Sequence, residues 1–494
     1  MGSPAAPGDA PVWPEWERRE AALQEAEAAI RADPQTAGAA LRFRRACLLD
    51  ALGRTAEAQR AYLDVLSVQP DHAGALNNLG TLLHAAGFRR AARTAYAEAA
   101  ARHPDDPAGH VNLANVLHEA GDLAAARRHY EAALRAAPDH PEAHQGLGRV
   151  LADLGETEAA GRHRALGHRG RAVTALPYRG AGPPVGVLLL VCAAGGNVPV
   201  GPLLDDRTFR TFAVAAEFHD PADALPPHHV VFNAIGDAER CGPALEAAAE
   251  ILGATDAPLV NRPEAVRATG RAPNAGRMAG VPGVVAPAAA DLSRDRLSGS
   301  DAQRTLAAFG LEYPLLLRAP GFHTGQHLLR VDGPDGLPGA VAALPGRAIT
   351  VLRYLEARSP DGKVRKYRVM IVDGRLYPLH LAIASHWKVH YVTADMADHP
   401  EHRAEEARFL ADMAGVLGPR AVAALGRIRD VLGLDYGGID FGLGPDGQVL
   451  FFEANATMVA NPPGPDPRWD YRRAAVGEIH AAARRMLLRR AGRA

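Results

Sequence analysis

A helical repeat superhelix followed by an α/β region is the fold class this sequence predicts, and three observations predict it. Gly53, Gly87, Gly121 and Gly155 recur at a fixed interval of 34 residues, as do Pro70, Pro104 and Pro138, and Tyr62, Tyr96 and Tyr130. From Val185 onward, apolar runs of strand length alternate with helical stretches, which indicates an open sheet with helices. Near the C-terminus, residues 437–442 and 450–457 read GGIDFG and LFFEANAT on either side of a Gly444–Pro445–Asp446–Gly447 turn, an antiparallel hairpin. At 494 residues the chain holds more than one domain.

The repeats explain the first third. A period of 34 carrying Leu79–Gly80, Ala92, Tyr96, Ala99 and Pro104 resembles the tetratricopeptide repeat. Gly80, Ala92 and Ala99 let two helices approach closely, Gly87 permits the turn between them, and Pro104 stops the second helix. Four units follow: 39–72, 73–106, 107–140 and a degenerate, capping one from 141, in which Arg164 replaces the tyrosine. A helix from about Glu15 to Ala32 caps the other end. Such repeats form a curved superhelix whose concave face takes peptides or protein partners. Asn77, Asn78, Asn112 and Asn115 recur on the first helix of successive units; they either clamp an extended peptide or are plain helix polar residues. The tyrosines sit at the packing position.

The segments divide as residues 1–38 (capping helix), 39–172 (repeats), 173–184 (extended linker), 185–262 (a small parallel-sheet domain) and 263–490 (a larger α/β domain). In the small domain, strands are expected at Val185–Cys192, Arg210–Ala215, His229–Phe232 and Pro258–Asn261, with a helix over Pro243–Leu252. Loops at the C-terminal ends of parallel strands bind ligands. Gly195, Gly196 and Asn197 leave the first strand there, and Asn233 and Asp237 leave another; the alternative for each is turn chemistry.

The hairpin carries the chemistry. In antiparallel register Asp440 approaches Glu453, and Asn455 projects from the same face as Glu453. Two carboxylates and an amide oxygen are hard ligands that suit Mg²⁺, and acids in so apolar a setting need a reason. Upstream, Tyr313–Arg318 is a strand leading into residues 319–326, where Gly321 and Gly325 make a flexible loop suited to covering phosphates. Thr350–Glu356 is an apolar strand, and Lys366–Asp373 alternates, with Arg368 opposite in facing to Val369.

From about Val185 to Arg490 the motif order resembles the ATP-grasp superfamily, in particular the carboxylate–amine ligases with a glutathione-synthetase or RimK-type nucleotide site. The resemblance implies an ATP-grasp fold with ATP and Mg²⁺ (or Mn²⁺) as cofactors, with 185–262 as the preceding substrate domain and 263–490 as the nucleotide-binding and catalytic domain. It implies that Arg353, Tyr354 and Leu355 supply an adenine hinge with Glu356 beside it. Arg318 and Arg271 would stand where the family has lysines on phosphate, Arg368 would hold a phosphate or acyl phosphate, and Asp440, Glu453 and Asn455 would carry the metal. His380, His386, Trp387, Lys388 and His390 form a cluster placed to contact the acceptor, with a metal site or a structural role as alternatives. His323 and His327 lie on the phosphate loop. The implied activity is ATP-dependent joining of a small carboxylate to an amine, with the repeat arm recruiting a peptide or protein. An ATP-binding scaffold and a small-molecule kinase are the alternatives.

Composition adds exclusions. Net charge is −1, from 55 basic and 56 acidic side chains, which gives no support for nucleic-acid or anionic-membrane binding. Cys47, Cys192 and Cys241 form no CxxC pair, so neither a zinc site nor a disulfide framework is indicated. The run Val185–Ala194 is half a membrane span, no secretory signal is visible, and Ala6 stands where a myristoylation signal wants Ser or Thr. The cytoplasm is the expected location.

Overall fold

A computed structural model of the chain describes residues 13–34, 37–322, 325–390 and 394–493. The chain divides into two compact units, one comprising Met1–Gly195 with Leu204–His229, the other Gly196–Leu203 with Val230–Ala494. The expected 185–262 segment is thus shared between them.

In the first unit α1 (Trp13–Ala32) precedes four helical hairpins: α2 (Ala39–Ala51) with α3 (Thr55–Val68), α4 (Ala73–Ala85) with α5 (Arg89–Arg102), α6 (Pro107–Glu119) with α7 (Leu123–Ala136), and α8 (Pro141–Asp153) with α9 (Thr157–His168). The first helices of successive hairpins start 34 residues apart, as the repeat requires. Gly53, Gly87, Gly121 and Gly155 all adopt positive φ between 69° and 84°, the left-handed turn between paired helices. Tyr62, Tyr96 and Tyr130 are buried between helices, and a glycine leaves room for the ring at the last two. A Cβ at Gly80 would fall 2.6 Å from Tyr96, and one at Gly146 would fall 2.2 Å from Tyr130.

The four asparagines are tied into this packing. Asn78 Nδ2 donates to the Tyr62 hydroxyl at 3.0 Å, the Tyr130 hydroxyl donates to Asn115 Oδ1 at 2.6 Å, and Asn112 Nδ2 donates to Asn77 Oδ1 at 3.1 Å. Asn78 thus bonds the tyrosine of the preceding unit and Asn115 that of its own, while Asn77 and Asn112 join the first helices of successive units.

The segment after the repeats is more ordered than a linker. Residues Val173–Ala175 form β1, which pairs antiparallel with β3 (Phe209–Ala215), and β3 pairs in parallel with β2 (Val185–Val191). Val173 and Thr174 are β-branched, which suits a strand edge. Arg179 then ties this sheet to the first repeat: Nη1 donates to Asp206 at 2.6 Å, and Nε donates to the Asp50 carbonyl at 2.9 Å. Arg207 Nη2 donates to the Gly53 carbonyl at 2.8 Å, and His168 stacks on Phe218 with centroids 4.9 Å apart. The repeat array is anchored near both of its ends.

In the second unit β4 (Val230–Asn233) pairs in parallel with β5 (Leu259–Val260). Two further sheets follow. Strands β7 (Ala289–Ser293), β8 (Leu315–Arg318), β9 (Leu328–Val331) and β10 (Ala348–Arg353) form an antiparallel sheet in the order β7-β10-β8-β9. Strands β11 (Val364–Val372), β12 (Arg375–Ala384), β13 (Tyr436–Leu443) and β14 (Val449–Asn455) form the second, in the order β12-β11-β13-β14, with β6 (Val284–Val285) parallel to β14 at its edge. The apolar faces of β11 and β13 bury Val369, Ile371, Ile439 and Phe441 completely. Asn261, fully buried at φ 62°, knots β5 to this sheet: its side chain accepts from the Asp435 and Tyr436 amides and donates to the Tyr436 carbonyl at 2.8 Å. Among the described residues no single helix is long and apolar enough to cross a membrane.

Gly146→Ala is expected to destabilise the repeat array by about 1–3 kcal/mol, because the methyl displaces a buried ring. Gly161→Ala, in α9 with open space around it, is expected to be neutral or stabilising by up to about 1 kcal/mol. Urea denaturation of the two variants checks this, and equal midpoints would refute the packing argument.

Candidate functional site

The β13–β14 hairpin has the register its sequence implies: Asp440 lies opposite Glu453, with a bulge between Asp440 and Phe441, and Asn455 lies opposite Gly438. Asp440 also lies opposite Arg368 of β11. The Arg368 guanidinium grips Asp440 with both edges, Nε on Oδ1 and Nη2 on Oδ2 at 2.7 Å, and Lys366 Nζ reaches Oδ2 at 2.6 Å. Asp440 is completely buried. Burial alone would raise its pKa, but the charges of Arg368 and Lys366 and the Arg368 hydrogen bonds outweigh it, and the carboxyl is held well below the usual carboxylate range. Lys366 was not singled out in the sequence; its signal was there, since residues two apart on a strand share a face.

Glu453 takes an ion pair from Arg271, the first residue of the helix Arg271–Met278. Asn455 Oδ1 accepts from Thr457, from the amide at 3.0 Å and from the hydroxyl at 2.8 Å. Arg318, at the end of β8 and 4% exposed, donates through Nη1 to Glu239 at 2.7 Å and through Nη2 to the Phe322 carbonyl at 2.6 Å. Glu239 also accepts from the Gly321 amide at 3.1 Å, so this one carboxylate ties the strand end to the glycine loop. Burial pushes Glu239 up, but the Arg318 charge and these hydrogen bonds prevail and its pKa is lowered. No sequence signal marks Glu239, because its partner lies 79 residues away. Gly321 and Gly325 have φ of 81° and 73°. His323 lies outside the described residues, and His327 is exposed.

These groups surround a cavity of about 630 Å³ lined from both sheets. Arg240, Arg271, Arg318, Arg353, Lys366, Arg368, Lys388 and Arg472 line it, against the single carboxylate of Glu453 among the described residues, so cationic side chains predominate on its wall. Leu316, Leu352, Leu355, Phe451, Phe452 and Trp387 give it apolar wall as well. Arg353, Tyr354 and Leu355 line it together, and the Tyr354 amide donates to the Pro314 carbonyl at 2.8 Å. Arg330 stacks over the Tyr354 ring at 4.3 Å. Asn455, Gly325, Gly196 and Asn197 also line the cavity.

Several expected residues sit elsewhere. Asp440 lies behind Arg368 and Lys366 rather than on the cavity wall. Gly321 is outside the lining, held by Glu239. Glu356 is exposed and accepts from the Arg358 amide at 2.9 Å, a local turn. Gly195 belongs to the first unit. Asn233 is fully buried and structural: its amide donates to the Asn261 carbonyl at 3.0 Å and its oxygen accepts from the Ile235 amide at 3.2 Å. Asp237 accepts from the amides of Glu239 and Arg240, at 2.9 and 3.1 Å, and faces a smaller chamber of about 30 Å³ beside the main one. Of the histidine cluster, His380 is buried and lines the cavity, as do Trp387, Lys388 and His390, whereas His386 is exposed and turned away. Burial, with the Arg368 charge adding to it, holds His380 well below its ordinary pKa, so its imidazole is neutral.

Tetratricopeptide repeat family models match residues 43–87, 79–128 and 117–162. No curated protein matches the chain. Among solved structures the chain is similar to MamA, at 18% identity and a TM-score of 0.28 over 33% of this chain and 94% of that one. It is likewise similar to a PilF protein of Pseudomonas aeruginosa, at 21% identity and a TM-score of 0.27 over 31% of this chain and 77% of that one. A third is YrrB, described as a TPR protein with an unusual peptide-binding site, at 18% identity and a TM-score of 0.27 over 30% of this chain and 74% of that one. The N-terminal third is a tetratricopeptide superhelix, and a mixed α/β region with several sheets follows it.

Asp440→Ala would leave Arg368 and Lys366 without their buried counter-charge, and is expected to cost about 3–5 kcal/mol in urea unfolding at pH 7. Because the folded carboxyl is depressed, its contribution is present above the ordinary value of about 3.9 and fades as pH falls below it. The gap between wild type and Asp440→Asn should therefore narrow between about pH 4 and pH 2; a gap independent of pH would refute the ion cluster.

Proposed function

We propose that the protein is an ATP-dependent ligase of the ATP-grasp type, which activates a carboxylate as an acyl phosphate and joins it to an amine. The observation that supports this best is the cavity, which pairs apolar walls with a large excess of guanidinium and ammonium groups. A nucleotide asks for both: a flat apolar slot beside exposed backbone for the base, and fixed cations for the phosphates. In this reading residues 353–355 receive the adenine edge, and Arg271, Arg318 and Arg368 hold phosphate oxygens.

Glu453 and Asn455 offer hard oxygen donors at the cavity wall, the kind Mg²⁺ (or Mn²⁺) accepts, so the donor set fits that ion. Asp440 stands behind them as the counter-charge of Arg368 and Lys366. The ion, when bound, supplies charge neutralisation on the phosphates. The chain's own residues do the rest. A substrate carboxylate attacks the γ-phosphorus, ADP departs, and the acyl phosphate forms under Arg368. An amine then adds to the acyl carbon and phosphate leaves. Neither step requires a side-chain nucleophile; positioning and cationic stabilisation suffice. Neutral His380 lines the same space and offers an acceptor that does not add charge.

The tetratricopeptide array supports a peptide or protein partner that presents one of the reactants. A second reading is an ATP-binding scaffold with little turnover. It is favoured by the Arg271–Glu453 ion pair, which must yield before Glu453 takes a metal.

Purified protein with Mg-ATP and pooled amino acids or peptides is expected to release ADP and phosphate in a substrate-stimulated manner. Glu453→Ala is expected to reduce that release by on the order of 100-fold or more. Binding without turnover would select the scaffold, and failure to bind Mg-ATP at all would overturn the nucleotide reading.

A further inference from the structure

We propose that the third and fourth repeat hairpins carry an acid-sensitive latch, a pair of histidines facing each other across each hairpin, which loosens α6–α9 on acidification and leaves α2–α5 closed. The latch lies within the repeat array and is independent of what the cavity binds. His110 of α6 and His129 of α7 meet Nδ1 to Nδ1 at 3.1 Å, with ring centroids 5.3 Å apart. His144 of α8 and His163 of α9 meet in the same way at 2.9 Å, with centroids 5.0 Å apart. Both members recur at the 34-residue interval of the repeat. At the same repeat positions the first two hairpins carry Arg42 with Ala61 and Leu76 with Ala95, which form no such pair.

Hydrogen-bond chemistry limits how many protons a pair can hold. His144 Nε2 donates to the Pro138 carbonyl at 2.9 Å, and a carbonyl only accepts. The neutral His144 ring therefore keeps its proton on Nε2 and turns a bare Nδ1 toward His163, which donates from its own Nδ1. A first added proton is accommodated by the choice of donor and acceptor. Full protonation of both rings is not: two N–H groups then meet head to head, with like charges behind them. An unfolded chain has no such restriction.

The surroundings add to this. His144 is buried and the other three rings are partly buried. Among the described residues, the charged groups that bear on the pairs are Arg128 for His129, and Arg162, Arg127 and Glu131 for His163. Burial, and then the charge of the partner histidine, hold His129 and His163 below the ordinary histidine range. An unfolded chain thus takes up protons below about pH 6.5 that the folded pairs refuse. The contribution of the pairs is complete above that value and is lost as pH falls through it toward the lowered folded values. Other histidines of the array respond differently. His84 on Glu119, His118 on Asp153 and His140 on Glu142 gain an ion pair when protonated, and at such solvated positions the gain is small. His72 and His140 accept capping amides at the starts of α4 and α8, one in each half of the array, so acid loss of a cap does not separate the halves.

The test is hydrogen-exchange mass spectrometry of the full chain at about pH 7.5 and about pH 5.5, with rates corrected for the intrinsic pH dependence of amide exchange. Opening of residues 107–168 is expected to rise about ten-fold or more at the lower pH relative to residues 39–102. The double variant His129→Gln with His163→Gln keeps a hydrogen-bonding side chain opposite each remaining histidine and leaves His118, His140 and His168 in place. It is expected to melt cooperatively at neutral pH and to bring the two halves within about two-fold of each other. An equal response of the two halves in the wild type, or a difference that survives in the double variant, overturns the proposal. Should the double variant not fold, His163→Gln alone decides. In it α8–α9 should lose the excess response while α6–α7 keeps it, and an unchanged excess in α8–α9 overturns the latch.

Discussion

The candidate site depends on one buried carboxylate. Asp440 has no exposed surface, and a lone charge there would be prohibitively unfavourable. It persists because Arg368 chelates it from the neighbouring strand and Lys366 closes on it from the same face. The dependence is mutual. Two long cationic side chains on β11 would otherwise adopt many rotamers, and the central acid holds their heads at the cavity wall. Long cationic side chains at a cavity wall otherwise collapse onto surface acids or drift into solvent. Here each main cation has its own acid behind it: Asp440 for Arg368 and Lys366, Glu239 for Arg318, Glu453 for Arg271 and Glu406 for Arg472. Preorganisation of this kind moves the ordering cost from ligand binding to folding.

How much of this was legible in the sequence follows from the range of the interactions. The 34-residue period fixes the repeats because each unit contacts its neighbours, and Gly146 of one hairpin makes room for Tyr130 of the hairpin before it. The β13–β14 hairpin was equally legible, since its turn and alternation set which residues face each other. Edges of the expected strands came within a few residues, whereas β1, in a stretch that composition marks as a connector, and β6, β7, β9 and β12 were not expected. What the sequence does not carry is pairing across long separations. Glu239 finds Arg318, and Glu406 finds Arg472, through the fold alone. Asn233 and Asn261 look like ordinary turn residues until the structure shows them bonded to one another and to the start of β13.

The same limit explains the asparagines of the repeats. Read as a surface, Asn77, Asn78, Asn112 and Asn115 suggest a peptide clamp. In the structure Asn78 and Asn115 meet the hydroxyls of Tyr62 and Tyr130 on adjacent second helices, buried polar groups that need partners, while Asn77 and Asn112 bond one another. For those two tyrosines an asparagine one helix away satisfies the phenol, so part of what looks like recognition chemistry is a consequence of burying it.

That positions 271 and 318 carry arginine rather than lysine has a physical consequence within the site. A lysine head is a compact charge that swings freely toward phosphate, whereas a guanidinium can hold an acid with one edge and still offer donors from another. Arg318 does this within the protein itself: one nitrogen takes Glu239 and another takes the Phe322 carbonyl. It therefore serves as a brace between the strand end and the glycine loop as well as a cation. Glu239 completes the brace by accepting the Gly321 amide. Strand end, carboxylate and glycine loop are thus joined through a single ion pair, and whatever displaces Arg318 from Glu239 also loosens the carboxylate that holds the Gly321 amide.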